Sequence, residues 1–485
     1  MPKTLGLYRW GPWVLGVAAV LIGIDACLSL LAERFWFQEV NYLEVFWLRL
    51  RSQLTLGVIP ILLTLGFTWG NLYLADRARP KPLPQDPQTR MRSLGLTGLL
   101  ILSLTLALLV GVQLIYQGQI AADFWRQTSS LYDSSTPLPL WPKLQLFTVI
   151  FQLLIAEPWQ VIALGLSTAA FLFYPRQLGR LAAVFMSLGF GLILAGQWPT
   201  VLLALQPASF TQREPIFNRD ISFYIFRLPV WHLLEFWLIG VLFFTLVTVC
   251  LVYLLGDNTL SRGRFYGFSG AQQQHLYSLA GMFFLVTSLS HWLGRYDILY
   301  SQEGVVYGAG YTHVHVNLPV NVALTGLTLV LGLSFLGRGL LGSAGLTNPI
   351  RPNRQAMVPL PRWQWWSGVG RSSLLVKGIC SYLLLILVGL VIAPMVVQRL
   401  VVQPNELQRE RPYIANSIQL TRAAFDLEDI NSQPFDPSGE LTVEDLEAND
   451  LTIENIRLWD TRPLLESNRQ LQQIRLYYEF KDADI

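Results

Sequence analysis

Charge is what this chain has least of. Only 14% of its 485 residues are charged, against about 25% in an ordinary soluble domain. A water-soluble globule is therefore excluded as a reading of the whole chain. Cysteine is nearly absent, and Cys27, Cys250 and Cys380 each fall inside an apolar run. An odd, scattered trio gives neither a disulfide framework nor a metal-ligand spacing, and thiols in apolar helices act as small hydrophobes. The sequence contains no G-x-x-x-x-G-K-[ST], no H-E-x-x-H and no G-x-S-x-G, so the familiar phosphate-loop, zinc-protease and serine-hydrolase signatures are missing. No nucleophile–base pair stands out, which leans against an enzyme, and no cofactor fingerprint is present. The two halves of the apolar region show no convincing repeat, which weakens an inverted-repeat transporter.

What is there is a succession of apolar runs separated by short polar connectors. Hydrophobic residues make up 52% of the chain. A run of about 20 apolar residues spans a bilayer as a helix, because lipid offers backbone N–H and C=O groups no other partner. The runs predict about nine transmembrane helices, near Trp13–Leu31, Leu54–Leu74, Leu94–Tyr116, Leu146–Phe173, Leu181–Leu203, Trp231–Leu254, Leu276–Leu293, Val316–Leu336 and Leu374–Val396. Glu157-Pro158 interrupts the fourth, since proline removes a helix hydrogen bond. Lys3 and Arg9 precede the first run as in a signal peptide, but the run is long and no small-residue cleavage site follows, so it reads as an uncleaved span.

The connectors set an orientation. Arg77, Arg79, Lys81, Arg90 and Arg92 lie in one, Arg176 and Arg180 in another, Arg262 and Arg264 in a third, and Arg338, Arg351, Arg354, Arg362 and Arg371 in a fourth. The alternate connectors mix both signs. Basic residues stay cytoplasmic, so the N-terminus is expected inside and, after an odd number of spans, the C-terminal segment outside. The excess of basic charge follows from this topology and is no evidence for nucleic acid. More than half of the 32 acidic residues lie after Arg399. The expected fold class is an all-α polytopic membrane protein, with a helical bundle over residues 1–398 and the start of an extracytoplasmic α or α+β domain over residues 399–485. Within the latter, Pro412–Phe425 and Leu464–Tyr478 show helical spacing, and Leu476–Asp484 fits a strand equally well.

Two connectors expected on the outer side are rich in polar and aromatic residues: Arg213–Pro229 and Arg295–Pro319. Both alternate apolar and polar residues like a strand or an interfacial segment. In an extended segment His313 and His315 would share one face, so both rings could reach a metal, with Asp297 or Glu303 completing the set. This single H-x-H pair has no second cluster to support it. Ionisable or strongly polar groups inside spans are Asp25, Glu157, Glu235, His291 and Lys377. A charge at bilayer depth is costly and normally faces a cavity or a partner. Asp25, Glu157 and His291 are therefore the candidates for a polar pathway. Glu235, His232 and Lys377 lie close enough to span ends to reach the interface.

The stretches RDISFYIFRLP, YSQEGVVYGAGYTHVHVNLP, QPNELQRERPYI with the TRAAF that follows, and NIRLWDTRPLLESNRQLQQIRLYYEFKDADI resemble, in this order, those of uncharacterised protein family 0182, large bacterial and cyanobacterial multi-pass membrane proteins. The resemblance implies an integral plasma-membrane protein followed by a large extracytoplasmic domain. It implies no reaction, ligand or catalytic residue. It also implies a chain several hundred residues longer, of which this would be an N-terminal portion. At His313 the family pattern leads one to expect Asp.

Three functions stay open. One is a membrane-anchored envelope scaffold or binding protein, whose partners beyond the bilayer would be envelope proteins or lipids. Another is a transporter or channel using Asp25 and Glu157. The last is an enzyme on lipid-linked substrates at the outer face.

Overall fold

The computed structural model describes residues 7–78, 94–126, 137–141, 158–256, 264–265, 267–302, 304, 307–341, 372–431, 433–434, 439, 441–456 and 461–472. Two compact units divide the chain, Met1–Gln419 and Leu420–Ile485. The first holds α1 (Leu7–Glu39), α2 (Leu43–Arg77), α3 (Leu96–Arg126), α4 (Pro158–Phe173), α5 (Pro175–Gly196), α6 (Trp198–Leu205), α7 (Leu228–Leu255), α8 (Gly270–Asp297), α9 (Leu318–Leu341), α10 (Ser372–Leu385) and α11 (Ala393–Val397). The next helix, α12 (Glu406–Ala424), runs across the boundary, and the second unit holds the short helices α13 (Val443–Ala448), α14 (Asp450–Glu454) and α15 (Thr461–Gln472). One two-residue antiparallel pair, Leu94–Gly95 with Arg264–Phe265, joins two connectors.

Among the described residues, seven helical stretches are long and apolar enough to cross a membrane: Leu43–Arg77, Leu96–Asp123, Pro175–Gly196, Phe223–Leu255, Gly270–Tyr300, His313–Leu341 and Leu375–Ala424. The expected first span is helical within α1 but is not among the seven. The fourth is the shorter apolar helix Trp159–Phe173, which starts beside the proline that breaks the run. Proline suits the first helical turn, where its missing N–H would have had no partner.

Apolar residues cover both the buried and the exposed faces of the helices. On α5, Ala182, Ala183, Met186, Ser187 and Phe190 are buried, while Phe185 on the opposite face is 68% exposed. Between α8 and α9 the backbones touch: a side chain at Gly281 would come within 3.0 Å of the Gly332 carbonyl. Small residues at such contacts and large apolar ones facing outward are what lipid favours.

Three of the seven long helical stretches share one irregularity with one cause, repeated four times. Turns at Phe223–Arg227, His313–Asn317, Ile386–Ile392 and Gln398–Val402 are widened to π geometry. Each is followed, two residues after its end, by a proline: Pro229, Pro319, Pro394 or Pro404. The residue just before each proline bonds five residues back: Leu228 to Phe223, Leu318 to His313, Ala393 to Val388 and Gln403 to Gln398. A proline ring collides with the carbonyl four residues earlier and brings no N–H to it. Widening the preceding turn relieves the collision and keeps the helix continuous.

This corrects the strand-like reading of the two aromatic connectors. Around His313 the period-two pattern belongs to a helical turn. Among the described residues of the two connectors, the only extended pairing is the isolated bridge of Arg213 with Asp220. In the second unit the Leu464–Tyr478 helix appears as Thr461–Gln472, and the alternative strand at Leu476–Asp484 lies outside the described residues.

Candidate functional site

The functional features gather where α7 begins and α8 ends. The chain before α7 folds on two carboxylates. Asp220 accepts the Ser222 N–H at 2.8 Å, the Phe210 N–H at 3.4 Å and the Ser209 hydroxyl at 2.8 Å. Led by the Ser222 bond, these hold its pKa down at about 2. Glu214 accepts the Ile216 and Phe217 N–H groups, each at 2.7 Å. Phe217, Phe223, Tyr224 and Tyr296 then pack edge to face, with the Arg219 guanidinium 4.5 Å from the Phe223 ring centre. The Tyr300 hydroxyl donates to the Tyr224 carbonyl at 3.0 Å. The two aromatic connectors therefore clasp each other and fix α7 against α8.

Just inside this clasp lies a chain of polar side chains. His232 Nε2 is 3.0 Å from Asp297 Oδ1, and His232 Nδ1 is 2.9 Å from Glu235 Oε2. The Ser290 hydroxyl donates to Glu235 Oε1. Exposure falls inward along it: the Asp297 side chain is 30% exposed, His232 9% and Glu235 0%. Next to Ser290, His291 Nε2 is 3.2 Å from the buried Tyr382 hydroxyl on α10. The opposite end of the helices is organised differently. There Asp76 pairs with Arg176 and Arg180, and His275 bridges Tyr253 and Asn71 at 2.7 and 2.8 Å.

Proton counting shows what the chain can do. An imidazole between two carboxylates holds both hydrogen bonds when the three groups share two protons. Either His232 is an imidazolium, or it is neutral and one carboxyl carries the second proton; both arrangements have net charge −1. Losing one proton breaks a bond and doubles the charge. Gaining one neutralises the set. A ring that takes a proton at one nitrogen and releases one at the other connects partly exposed Asp297 to buried Glu235.

A second feature adjoins it in sequence. A cavity of about 570 Å³ is lined by residues of the π-turn before α9 and of the run Leu390–Glu410. Gly310 and Tyr311 open the α9 stretch, and Glu410 closes over them: the Tyr311 N–H lies 3.1 Å from both Glu410 oxygens. A carboxylate at a helix N-terminus is stabilised by the free N–H groups and the helix dipole. Gly310 leaves room for this approach, since a Cβ there would sit 2.8 Å from Glu410 Oε2 and the carboxylate would have to shift. The Thr312 hydroxyl donates to Gln398 Oε1 at 2.5 Å. Asn317 lines the cavity, and its Oδ1, turned away from open space, has no hydrogen-bond partner among the described residues.

The residues singled out from sequence are dispersed. His313 lines the cavity and accepts the Gly310 N–H at 3.2 Å. His315 stacks on Tyr311 at 4.1 Å and has Tyr413 at 3.3 Å from Nδ1. Two residues apart on a helical turn, the rings have separate partners. Among the described residues no group of three or more His, Cys, Asp or Glu converges as a metal would need. Asp25 and Lys377 are exposed, and Asp25 has no hydrogen bond or ion pair among the described residues. Glu157 and Glu303 lie outside the described residues. His291 is buried beside the chain. Missed were His232 and Glu235 as partners. Their i, i+3 spacing on one helix face was the available signal. Asp297 joins them only through the packing of α8 on α7.

The model of the Uncharacterised protein family UPF0182 matches residues 10–485. The chain belongs to this family. A UPF0182 protein of a Nostoc species is 39% identical over 98% of this chain and 48% of its own length. One of Microcystis aeruginosa is 38% identical over 98% and 48%, and one of a Synechocystis species 34% identical over 100% and 49%. The chain thus spans about half the length of the curated relatives it matches. No solved structure matches it. With its apolar helices, this UPF0182 chain is a bacterial membrane protein of a family whose function is uncharacterised.

Proposed function

We propose that this UPF0182 chain is a proton-linked membrane transport protein of the bacterial plasma membrane, and that Asp297, His232, Glu235 and Ser290 form its proton-holding element. One observation carries the reading: a carboxylate of zero exposure, inside a long apolar helix, is hydrogen-bonded to a histidine that also reaches a partly exposed aspartate. Ionisable groups at membrane depth are expensive, pair with one another or face a cavity, and mark ion and proton pathways. The reading puts the pathway on α7 and α8, beside His291 of the Asp25, Glu157 and His291 set expected from the sequence. By the distribution of basic residues, the Asp297 end faces outward.

The experiment is a proton flux measurement in proteoliposomes under an imposed pH gradient and potential, with a trapped pH dye. Wild-type protein passes protons faster than empty vesicles, and Glu235→Gln abolishes the difference. Flux equal to that of empty vesicles for the wild type would sink the reading.

A second reading, an envelope binding protein, is favoured by the helical stretch Leu375–Ala424. Its 50 residues extend about 75 Å, far beyond the ~30 Å hydrocarbon core. The excess carries the cavity's polar rim past the bilayer, where envelope proteins or lipids are in reach. Protease added to right-side-out vesicles should cut after Arg399. Cleavage confined to inverted vesicles would reverse the orientation and remove this reading.

A further inference from the structure

The helix pair that carries the buried Glu235 has a second bridging histidine at its other end. His275 lies in the second turn of α8, and Tyr253 in the last turn of α7. Tyr253 stands 18 residues beyond Glu235 on α7, and His275 stands 15 residues before Ser290 on α8. At the rise of a helix these spans are about 27 and 22 Å, close to the ~30 Å hydrocarbon core. The two histidine clusters therefore stand near opposite faces of a bilayer.

Hydrogen-bond accounting fixes the proton on this ring. Asn71 Nδ2 donates to the Phe67 carbonyl at 2.7 Å, which leaves Asn71 Oδ1 to face His275 Nε2 at 2.8 Å. An amide oxygen only accepts, so Nε2 carries the hydrogen. Nδ1 is then the free base, and it accepts from the Tyr253 hydroxyl at 2.7 Å. A hydroxyl both donates and accepts. To charge the ring, Tyr253 passes its hydroxyl proton to Nδ1 and takes one from water. The hydroxyl is restored, its oxygen now accepts from Nδ1–H, and the ring is one proton richer. Release runs the same steps backwards, and no partner is lost in either state.

The surroundings suit passage rather than storage. His232 sits between two carboxylates, whereas Asn71 and Tyr253 are both neutral. The charged groups at this end are Asp76 and Arg77 on α2, Arg176 and Arg180 on α5, and Arg338 on α9. Asp76 pairs with Arg176 and Arg180, and Arg77 lies over the Tyr73 ring. Among the described residues no carboxylate is left over to hold an imidazolium. Buried polar groups also run between the two ends. Thr64, Thr68 and Asn71 recur at i, i+4 and i+7 and share one face of α2. Thr64 and Thr68 are buried. Trp237, two residues past Glu235, donates from Nε1 to Thr64 Oγ1 at 2.8 Å.

We propose that His275 is the second port of the proton pathway: protons enter and leave at Nδ1 on the face opposite Asp297, Tyr253 relays them, and Asn71 holds the ring in its Nε2–H tautomer. The inference rests on the proton-transport reading, and its test separates the failure of one from the failure of the other.

Proteoliposomes holding the protein in one orientation are kept at fixed pH on the Asp297 side. Proton uptake is followed as pH on the His275 side is varied. Wild-type uptake follows a one-proton titration. His275→Gln lowers uptake at least about tenfold and removes the titration, and Tyr253→Phe slows uptake but keeps it. Imidazole added on the His275 side restores uptake in His275→Ala and leaves Glu235→Gln inactive, which repair of a structural contact would not do. Thermal melts establish that each variant is folded. Uptake and titration in His275→Gln equal to those of the wild type would overturn the port and leave proton transport standing. A folded His275→Ala that imidazole does not restore would also overturn the port. Wild-type uptake no faster than that of empty vesicles would overturn both.

Discussion

Truncating Glu235 and His232 separately and together measures whether the intramembrane chain is a coupled unit. The Glu235 carboxylate is fully buried and takes hydrogen bonds from Ser290 and the His232 ring. Glu235→Ala leaves the imidazole facing an apolar gap, and His232→Ala leaves a carboxylate with no counter-group on that side. Removing one partner of a buried pair costs about 3–5 kcal/mol. Removing both costs less than the sum, because the second truncation takes away a group already uncompensated. The predicted coupling is about 1–3 kcal/mol. Glu235→Gln keeps shape and a weaker, uncharged hydrogen bond, and should cost only about 1 kcal/mol. Asp297→Asn, at the exposed end, should cost no more than that. Unfolding in mixed micelles with increasing SDS, followed by circular dichroism, gives the free energies of the wild type and these five variants. Additivity within about 0.5 kcal/mol, or an Asp297→Asn variant as damaged as Glu235→Ala, would refute the chain as a coupled unit.

Other consequences are open to simple measurement. Gly310→Ala places a methyl 2.8 Å from Glu410 Oε2; it should cost about 1–3 kcal/mol and expose the α12 start to protease. Gly281→Val should part α8 from α9 at the Gly332 carbonyl and lower the melting temperature, whereas Gly66→Val, where nothing lies within 4 Å, should not. Asp220 sits at about 2, below the ordinary 3.8. A lowered carboxylate stabilises the fold above its unfolded value, and that share is lost as pH falls from about 3.8 through about 2. Asp220→Asn should remove the acid sensitivity of the 206–222 connector, seen by amide exchange, in that window and should speed its exchange at neutral pH, where the ionised carboxylate contributes.

The bundle was legible because lipid imposes one strong rule on sequence: long apolar runs become helices. The π-turns were not foreseen, although each is written as a proline two residues past a helical turn. Alternation in THVHVN imitated a strand because a widened turn is not read by period alone. The candidate site was least legible. His232 and Glu235 near a span end looked able to reach the interface, and only the packing of α7 on α8 encloses them with Asp297 and Ser290. Asp25, by contrast, stood mid-run in the sequence yet lies on an exposed helix face. Depth along a helix is readable from sequence; the face that meets a neighbour depends on partners far along the chain.

The measurement closest to the central claim is infrared difference spectroscopy of the reconstituted protein across a pH step. The account predicts a carboxylic-acid C=O band that appears on protonation, vanishes in Glu235→Gln and shifts in His232→Ala. The absence of such a band, or a band that Glu235→Gln leaves untouched, would contradict it.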